Sequence, residues 1–365
     1  GQSNSLMDLS SDGQWLACSN RDSGTVTIVS LPDHSVIHEI PVGKHPEGVS
    51  FIGDSHCLAV AVYGDDVVKM VDAGSGKITG QTDVFDEPYG VVSSSDGQRI
   101  YLTLDYPGRL VEIDTSTNDV VREHHVGSFL RGICIDANDD RVLVTEFYST
   151  KVLAVDLASG KIVDQWSGAS TDNLLRQITL HPRRPKAYLP HIRSRVTAVH
   201  GAGSIFPYVS VVDTLPGEGR RRKRIPMDAF RGNLVTANPW EIAISPDGRS
   251  AFVVFSGTND MFACEVIDDD YRELGYRAYV RLGASPRAVR VAPNGQDLYV
   301  YNSLDFTVSA YDVESLRHKT DMQISRNPLS ENVLMGKKLF YSALQPMVGR
   351  RWIACSSCHP DGQPD

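Results

Sequence analysis

The sequence predicts an all-β fold, a seven-bladed β-propeller of four-stranded blades, and three observations carry it. Asp72, Asp114 and Asp156 stand 42 residues apart, with Ser30 one period earlier, and the series runs on less evenly through Asp213, Asp268 and Asp312. A second register repeats alongside: SSDGQWLAC at 10–18, SSDGQRIYL at 94–102, SPDGRSAFV at 245–253 and APNGQDLYV at 292–300. Four-stranded units at a period near 42 are the sequence sign of propeller blades. The third observation is what lies between the strands, where no helical pattern speaks for a βαβ reading.

Each unit follows from its residues in the same order. The -DG- or -NG- pair marks a hairpin turn, because glycine accepts the positive φ such turns need. An apolar run of strand length follows, such as Leu16–Ser19 or Ile100–Leu104, then a polar loop and an alternating strand such as Thr25–Val29 or Val152–Asp156. An SGK-like turn leads into a last strand such as Val36–Val42, and the short segment before each -DG- supplies the fourth. Seven units place the propeller at about 1–327. Hydrophobic residues at 41% and charged residues at 22% exclude a disordered chain. A net charge of −9 argues against a nucleic-acid partner, and no apolar run reaches the ~18 residues of a membrane span. Cys18, Cys57, Cys134 and Cys264 fall singly in apolar stretches and read as small buried side chains.

Blade 5 breaks the period: Asp156 to Asp213 is 57 residues and Asp213 to Asp268 is 55, with the excess at about 190–207 and 215–238. Insertions map to loops on one face, where function concentrates, and both are expected on or beside the channel mouth. The run Arg220-Arg221-Arg222-Lys223-Arg224 reads as a solvated face or as a docking patch for an acidic partner. Aligning the units puts Glu47, Tyr89, Arg131, Arg176, Trp240 and Arg287 at one equivalent position at the mouth, with His191 on the same face. Three arginines converging there suit an anionic small molecule or a carboxylate; the competing reading pairs them with Glu47 and Glu241 as a structural network. No HExxH, GxSxG or P-loop pattern is present, and no catalytic residue is assigned.

After Asn327-Pro328 the strand pattern stops. Residues 331–344 (ENVLMGKKLFYSAL) space apolar groups at Val333, Leu334, Leu339, Phe340 and Leu344 as a helix does. Then comes Cys355-Ser356-Ser357-Cys358-His359, the C-x-x-C-H spacing of covalent haem c attachment. Two thiols a short turn apart can each add to a vinyl group of one porphyrin, and the following histidine is placed to ligate the iron. A thioredoxin-like dithiol wants a βαβ context and a zinc site wants another ligand pair nearby.

Two resemblances follow. The phrases VDAGSGKI and VDLASGKI, the segment Val42–Val49 and LYVYN at Leu298–Asn302 resemble YVTN-type, lactonase-like propeller repeats. MGKKLFYSAL followed by IACSSCHPDGQPD resembles the opening of the di-haem cytochrome c peroxidase family. That resemblance implies thioether bonds at Cys355 and Cys358, His359 as the axial metal ligand, and a short helical c-type cytochrome stub over 328–365. A second CxxCH, on which peroxidatic activity depends in that family, has no counterpart here. The expected function is electron transfer, or a part in a haem-dependent oxidoreductase, in a periplasmic or otherwise exported location. Its partner would be a redox protein or a further C-terminal haem domain. The alternative is a haem-free propeller scaffold docking onto separate multi-haem subunits, similar in theme to quinohaemoprotein amine dehydrogenases and hydrazine synthase. A lactonase-like hydrolase has only the fold behind it.

Overall fold

A computed structural model describes residues 2–195, 204–215, 222–230, 235–267, 272–348 and 353–362. Seven antiparallel sheets, consecutive in sequence, make up the chain from Met7 to Gln323. Six have four strands, and the fifth has its innermost strand in two pieces, Asp172–Asn173 and Thr179–Leu180. The other innermost strands are Met7–Leu9, Pro46–Phe51, Pro88–Ser93, Leu130–Ile135, Pro239–Ile244 and Pro286–Val291. The cores lie between blades. Ile28 and Val60, for example, are packed in the cluster between blades 1 and 2. The predicted blade count and strand count hold.

The two repeating sequence phrases are turn chemistry. In the first, Asp12 Oδ1 accepts from Ser10 Oγ at 2.6 Å and from Gln14 N at 3.0 Å, and Asp96 and Asp247 repeat the arrangement. In the second, Asp72 Oδ1 accepts from Ser75 N at 2.7 Å and Asp156 Oδ1 from Ser159 N at 2.8 Å, ahead of Gly76 and Gly160 at φ 67°. The side chain thus satisfies amides that the hairpin leaves unpaired.

The ring closes without strand exchange, since each blade takes all its strands from one stretch of chain. Blades 7 and 1 are joined by an apolar cluster including Met7, Leu16, Tyr299 and Ile324. Thr27 Oγ1 also donates to Ile324 O at 2.6 Å, and Ser23 meets Ser325 at 2.7 Å. Residues 2–6 run through the channel: Asn4 N donates to Ile133 O at 2.8 Å and Ile135 N donates to Gln2 O at 2.9 Å.

The insertions divide. The first lengthens its hairpin to ten-residue strands, Lys186–Arg195 and Ser204–Asp213, that rise on the mouth face. The second begins at the opposite end, beyond Asp213, and reaches the mouth only after the outer strand Arg222–Pro226. Within the basic run, Arg222 bonds Thr150 and Ser210, and Arg224 pairs with Asp172 at 3.2 Å. Arg224 thus serves blade 5 itself and Arg222 ties it to blade 4; Arg220 and Arg221 lie outside the described residues. Past the propeller, Ser330 caps the helix Glu331–Tyr341, which ends three residues before the predicted 344.

Candidate functional site

Six blades build the channel mouth by one device. The residue before the innermost strand, or in blade 5 the one after its first piece, is in the left-handed region: His45, Glu87, Phe129, Leu174, Asn238 and Ser285 have φ between 42° and 61°. A bulge follows at five of them, where Pro46, Pro88, Leu130, Pro239 and Pro286 pair normally and the next residue or two do not. Bulges re-aim a side chain, and here they release Glu47, Tyr89, Arg131, Trp240 and Arg287. Arg176 occupies the gap between the two pieces of the fifth blade's inner strand. Glycine after the released residue lets adjacent blades close up: a Cβ on Gly90 would lie 2.4 Å from Arg131 O, and one on Gly48 would lie 2.5 Å from Tyr89 O.

The aligned residues are all buried and form one funnel. Arginines and rings alternate around it. The Arg131 guanidinium lies 4.8 Å from the Tyr89 ring and 3.8 Å from Phe147. Arg176 lies 4.7 Å from Phe147 and 4.1 Å from Trp240; Arg287 lies 4.4 Å from Trp240 and 4.5 Å from Tyr341. The rings separate the three cations and stabilise each by cation–π attraction. Glu47 pairs with Arg21 rather than with the three, and burial raises its pKa against that pairing. Glu241 faces the channel interior, accepting from Ser5 Oγ at 2.8 and 2.9 Å and pairing with Arg290.

An anion is present at the mouth, and it is the chain's own. Arg131 Nη1 donates to Asp361 Oδ2 at 2.6 Å, and Arg176 Nη2 stands 3.8 Å from Asp361 Oδ1. Asp105 holds the other side of Arg131 at 2.8 Å. Burial would push the Asp361 carboxyl up, but Arg131, Arg176 and Arg21 override it and hold the group far below the ordinary carboxylate range. Burial lowers Arg176, whose Nε has no hydrogen-bond partner among the described residues.

His191 takes no part. The lengthened hairpin places it mid-strand, fully buried, with Nε2 2.7 Å from Ser210 Oγ and Nδ1 3.1 Å from Ile192 O. Arg21, Tyr63, Asp105 and Phe147 were missed, although they recur at the same 42-residue spacing as Glu47, Tyr89 and Arg131. The period carried that signal at the end of each second strand.

The CSSCH segment sits on this mouth as a single turn of 3₁₀ helix, Cys355–Ser357. Ser357 Oγ donates to Asn238 Oδ1 at 2.7 Å, and Asn238 Nδ2 donates to Ser356 Oγ at 3.2 Å. Ala354 packs on Ala237 and Ala343. Cys355 and His359 are exposed, whereas Cys358 is half-buried against Phe147, Leu174, Ile192 and Ile205. Two thiols on one turn with an adjacent imidazole fit the donor set of a haem c, with one thiol covered by the propeller. The four scattered cysteines form no disulfide, and all but Cys57 are buried. Among the described residues no helix is long and apolar enough to cross a membrane.

No protein family's sequence profile matches the chain. It is 22% identical over 322 residues to a seven-bladed β-propeller protein of Mycobacterium tuberculosis, covering 81% of this chain and 79% of that one. Among solved structures it resembles a chain of Kuenenia stuttgartiensis hydrazine synthase, with a TM-score of 0.76 and 21% identity over 84% of this chain and 95% of that one. It also resembles a protein of unknown function from Desulfotomaculum acetoxidans, with a TM-score of 0.64 and 12% identity over 85% and 95% of the two chains. Sheets and likenesses agree on the architecture: the chain is an all-β, seven-bladed propeller with four-stranded blades.

Proposed function

We propose that the chain is an exported propeller–cytochrome c protein acting in electron transfer or as part of an oxidoreductase. Haem c is held at Cys355 and Cys358 with His359 on the iron, and a substrate or partner binds at the mouth. The observation that supports this is the seating of the CSSCH turn on the same end of the channel where Arg131, Arg176 and Arg287 gather. The haem would supply one-electron chemistry there; the propeller residues orient the turn and keep Cys358 from solvent. The repeat phrases support a YVTN-type propeller, and MGKKLFYSAL before CSSCH supports the opening of a di-haem peroxidase-type domain. c-type haem is attached outside the bacterial cytoplasm, hence the exported location. Production in a host with haem maturation machinery tests the reading. A haem-sized mass increase and a Soret band that survives acid–acetone extraction are expected, and both are lost in C355S/C358S. An unmodified mass from the competent host overturns it.

A second reading, a haem-free scaffold docking onto separate redox subunits, is favoured by a different observation. Phe85, Tyr106, Phe129 and Tyr148 stand exposed on the mouth face, with Tyr106 and Phe129 6.5 Å apart and Phe129 and Tyr148 5.1 Å apart. Aromatic side chains are enriched at protein interfaces. The likeness to a hydrazine synthase chain is consistent with that role.

A further inference from the structure

We propose that the arginine funnel is a carboxylate-binding site, that Asp361 occupies it as an internal ligand, and that a free carboxylate displaces Asp361 and lifts the CSSCH turn off the mouth. The inference rests on reading the mouth as the binding end of the propeller and is independent of whether haem is attached.

The charges make the case. Four guanidinium groups, Arg21, Arg131, Arg176 and Arg287, face Glu47, Asp105 and Asp361 in the funnel, while Asp22, also near Arg287, is paired with Lys337 and Glu87 lies further out beside Tyr63. Glu47 belongs to Arg21 and Asp105 to Arg131. Asp361 alone therefore answers Arg176, and no ion pair within 4.0 Å is seen for Arg287 among the described residues. All three funnel arginines are buried, and an unanswered buried cation is costly. Arg176 Nε is left without a partner, so the fit of Asp361 is incomplete and a ligand with a second carboxylate could engage more of the site.

Asp361 is held by its charge and by one short turn. Its backbone is in the left-handed region at φ 57°, and the turn behind it meets the propeller through Ser356, Ser357, Ala354 and Cys358. The helix before it has a separate tether, Lys337 to Asp22 and Lys338 to Asp305 at 2.7 Å. The turn can thus leave while the helix stays. Leaving uncovers Cys358, the thiol that docking hides.

Malonate is the probe, in calorimetry at fixed ionic strength on the full chain and on Asp361→Asn. The substitution keeps the shape and removes the competing charge, so the variant is expected to bind malonate about tenfold or more tightly than the wild type. A second readout needs no variant. Saturating malonate should raise the alkylation rate of Cys358 in the unmodified wild type about fivefold or more, with exposed Cys355 as the internal control. Equal malonate affinity in both chains, with Cys358 labelling unchanged, overturns the internal-ligand inference and leaves the mouth an anion site. Absence of binding to either chain overturns both.

Discussion

Buried ionisable residues in this propeller pull its pH response in opposite directions. Burial pushes Glu241 up to about 7, against Arg290 and Ser5, so between its ordinary pKa and 7 the folded chain holds a proton that the unfolded chain has released. That contribution to stability is full at low pH and is lost as pH rises towards 7. His191 is pushed down to about 4 by burial and by Arg222, so the unfolded chain binds the extra proton, and stability is lost as pH falls from 6.5 towards 4. Each effect amounts to about a few kcal/mol at most. Relative to the wild type, E241Q should gain stability as pH rises from about 4.5 to 6.5 and H191Q should lose it; urea unfolding across that range reads both, and parallel profiles would refute the assignment. Arg131 is the other residue with a large expected effect. R131A leaves Asp105 buried and unanswered, and should lower unfolding free energy by about 3–5 kcal/mol.

Glycines in two elements should respond to alanine with opposite sign. A Cβ on Gly132 meets Thr145 Oγ1, the atom that accepts from Gly132 N at 3.0 Å. G132A must push the blade apart beside Arg131 and should cost about 1–3 kcal/mol. Gly336 lies mid-helix, exposed, with nothing within 4 Å of an added Cβ. G336A should stabilise by about 0.5–1 kcal/mol through helix propensity alone. Thermal melts of the two variants decide this. The contrast also shows what the sequence made legible. Turns were readable because Asp, Ser and Gly act on their own neighbours, as at Asp72–Gly76. The bulge that turns Arg131 inward was readable only as an alignment position. It rests on a left-handed Phe129, a residue type that does not announce a positive φ.

For the whole molecule, the seven-blade count was legible since each blade repeats a local pattern, and the irregular fifth blade hid only its own geometry. Two contacts were not legible. Asp361 lies 230 residues from Arg131, and no repeat relates the tail to the blades. The segment 2–6 likewise meets blades 2, 4, 5 and 6, through Val49 N, Ile133 N, Arg176 O and Glu241. Asn4 Oδ1 accepts from Ile133 N at 2.9 Å and its Nδ2 donates to Arg176 O at 3.2 Å. N4A leaves both groups buried without a partner and should lower stability by about 1–3 kcal/mol, read as a lower urea midpoint with an unchanged slope.

That axial segment has a consequence for how the chain reaches its fold. Ser5 is synthesised 236 residues before Glu241, and Asn4 172 residues before Arg176. Its partners come from separate blades and are in place only once the ring is nearly assembled. Blades, by contrast, are built from neighbours in sequence and can form as the chain emerges. Long-range closure adds an entropic barrier that local hairpins avoid. Folding should therefore end with residues 2–6, which seat last between blades that follow them in the chain.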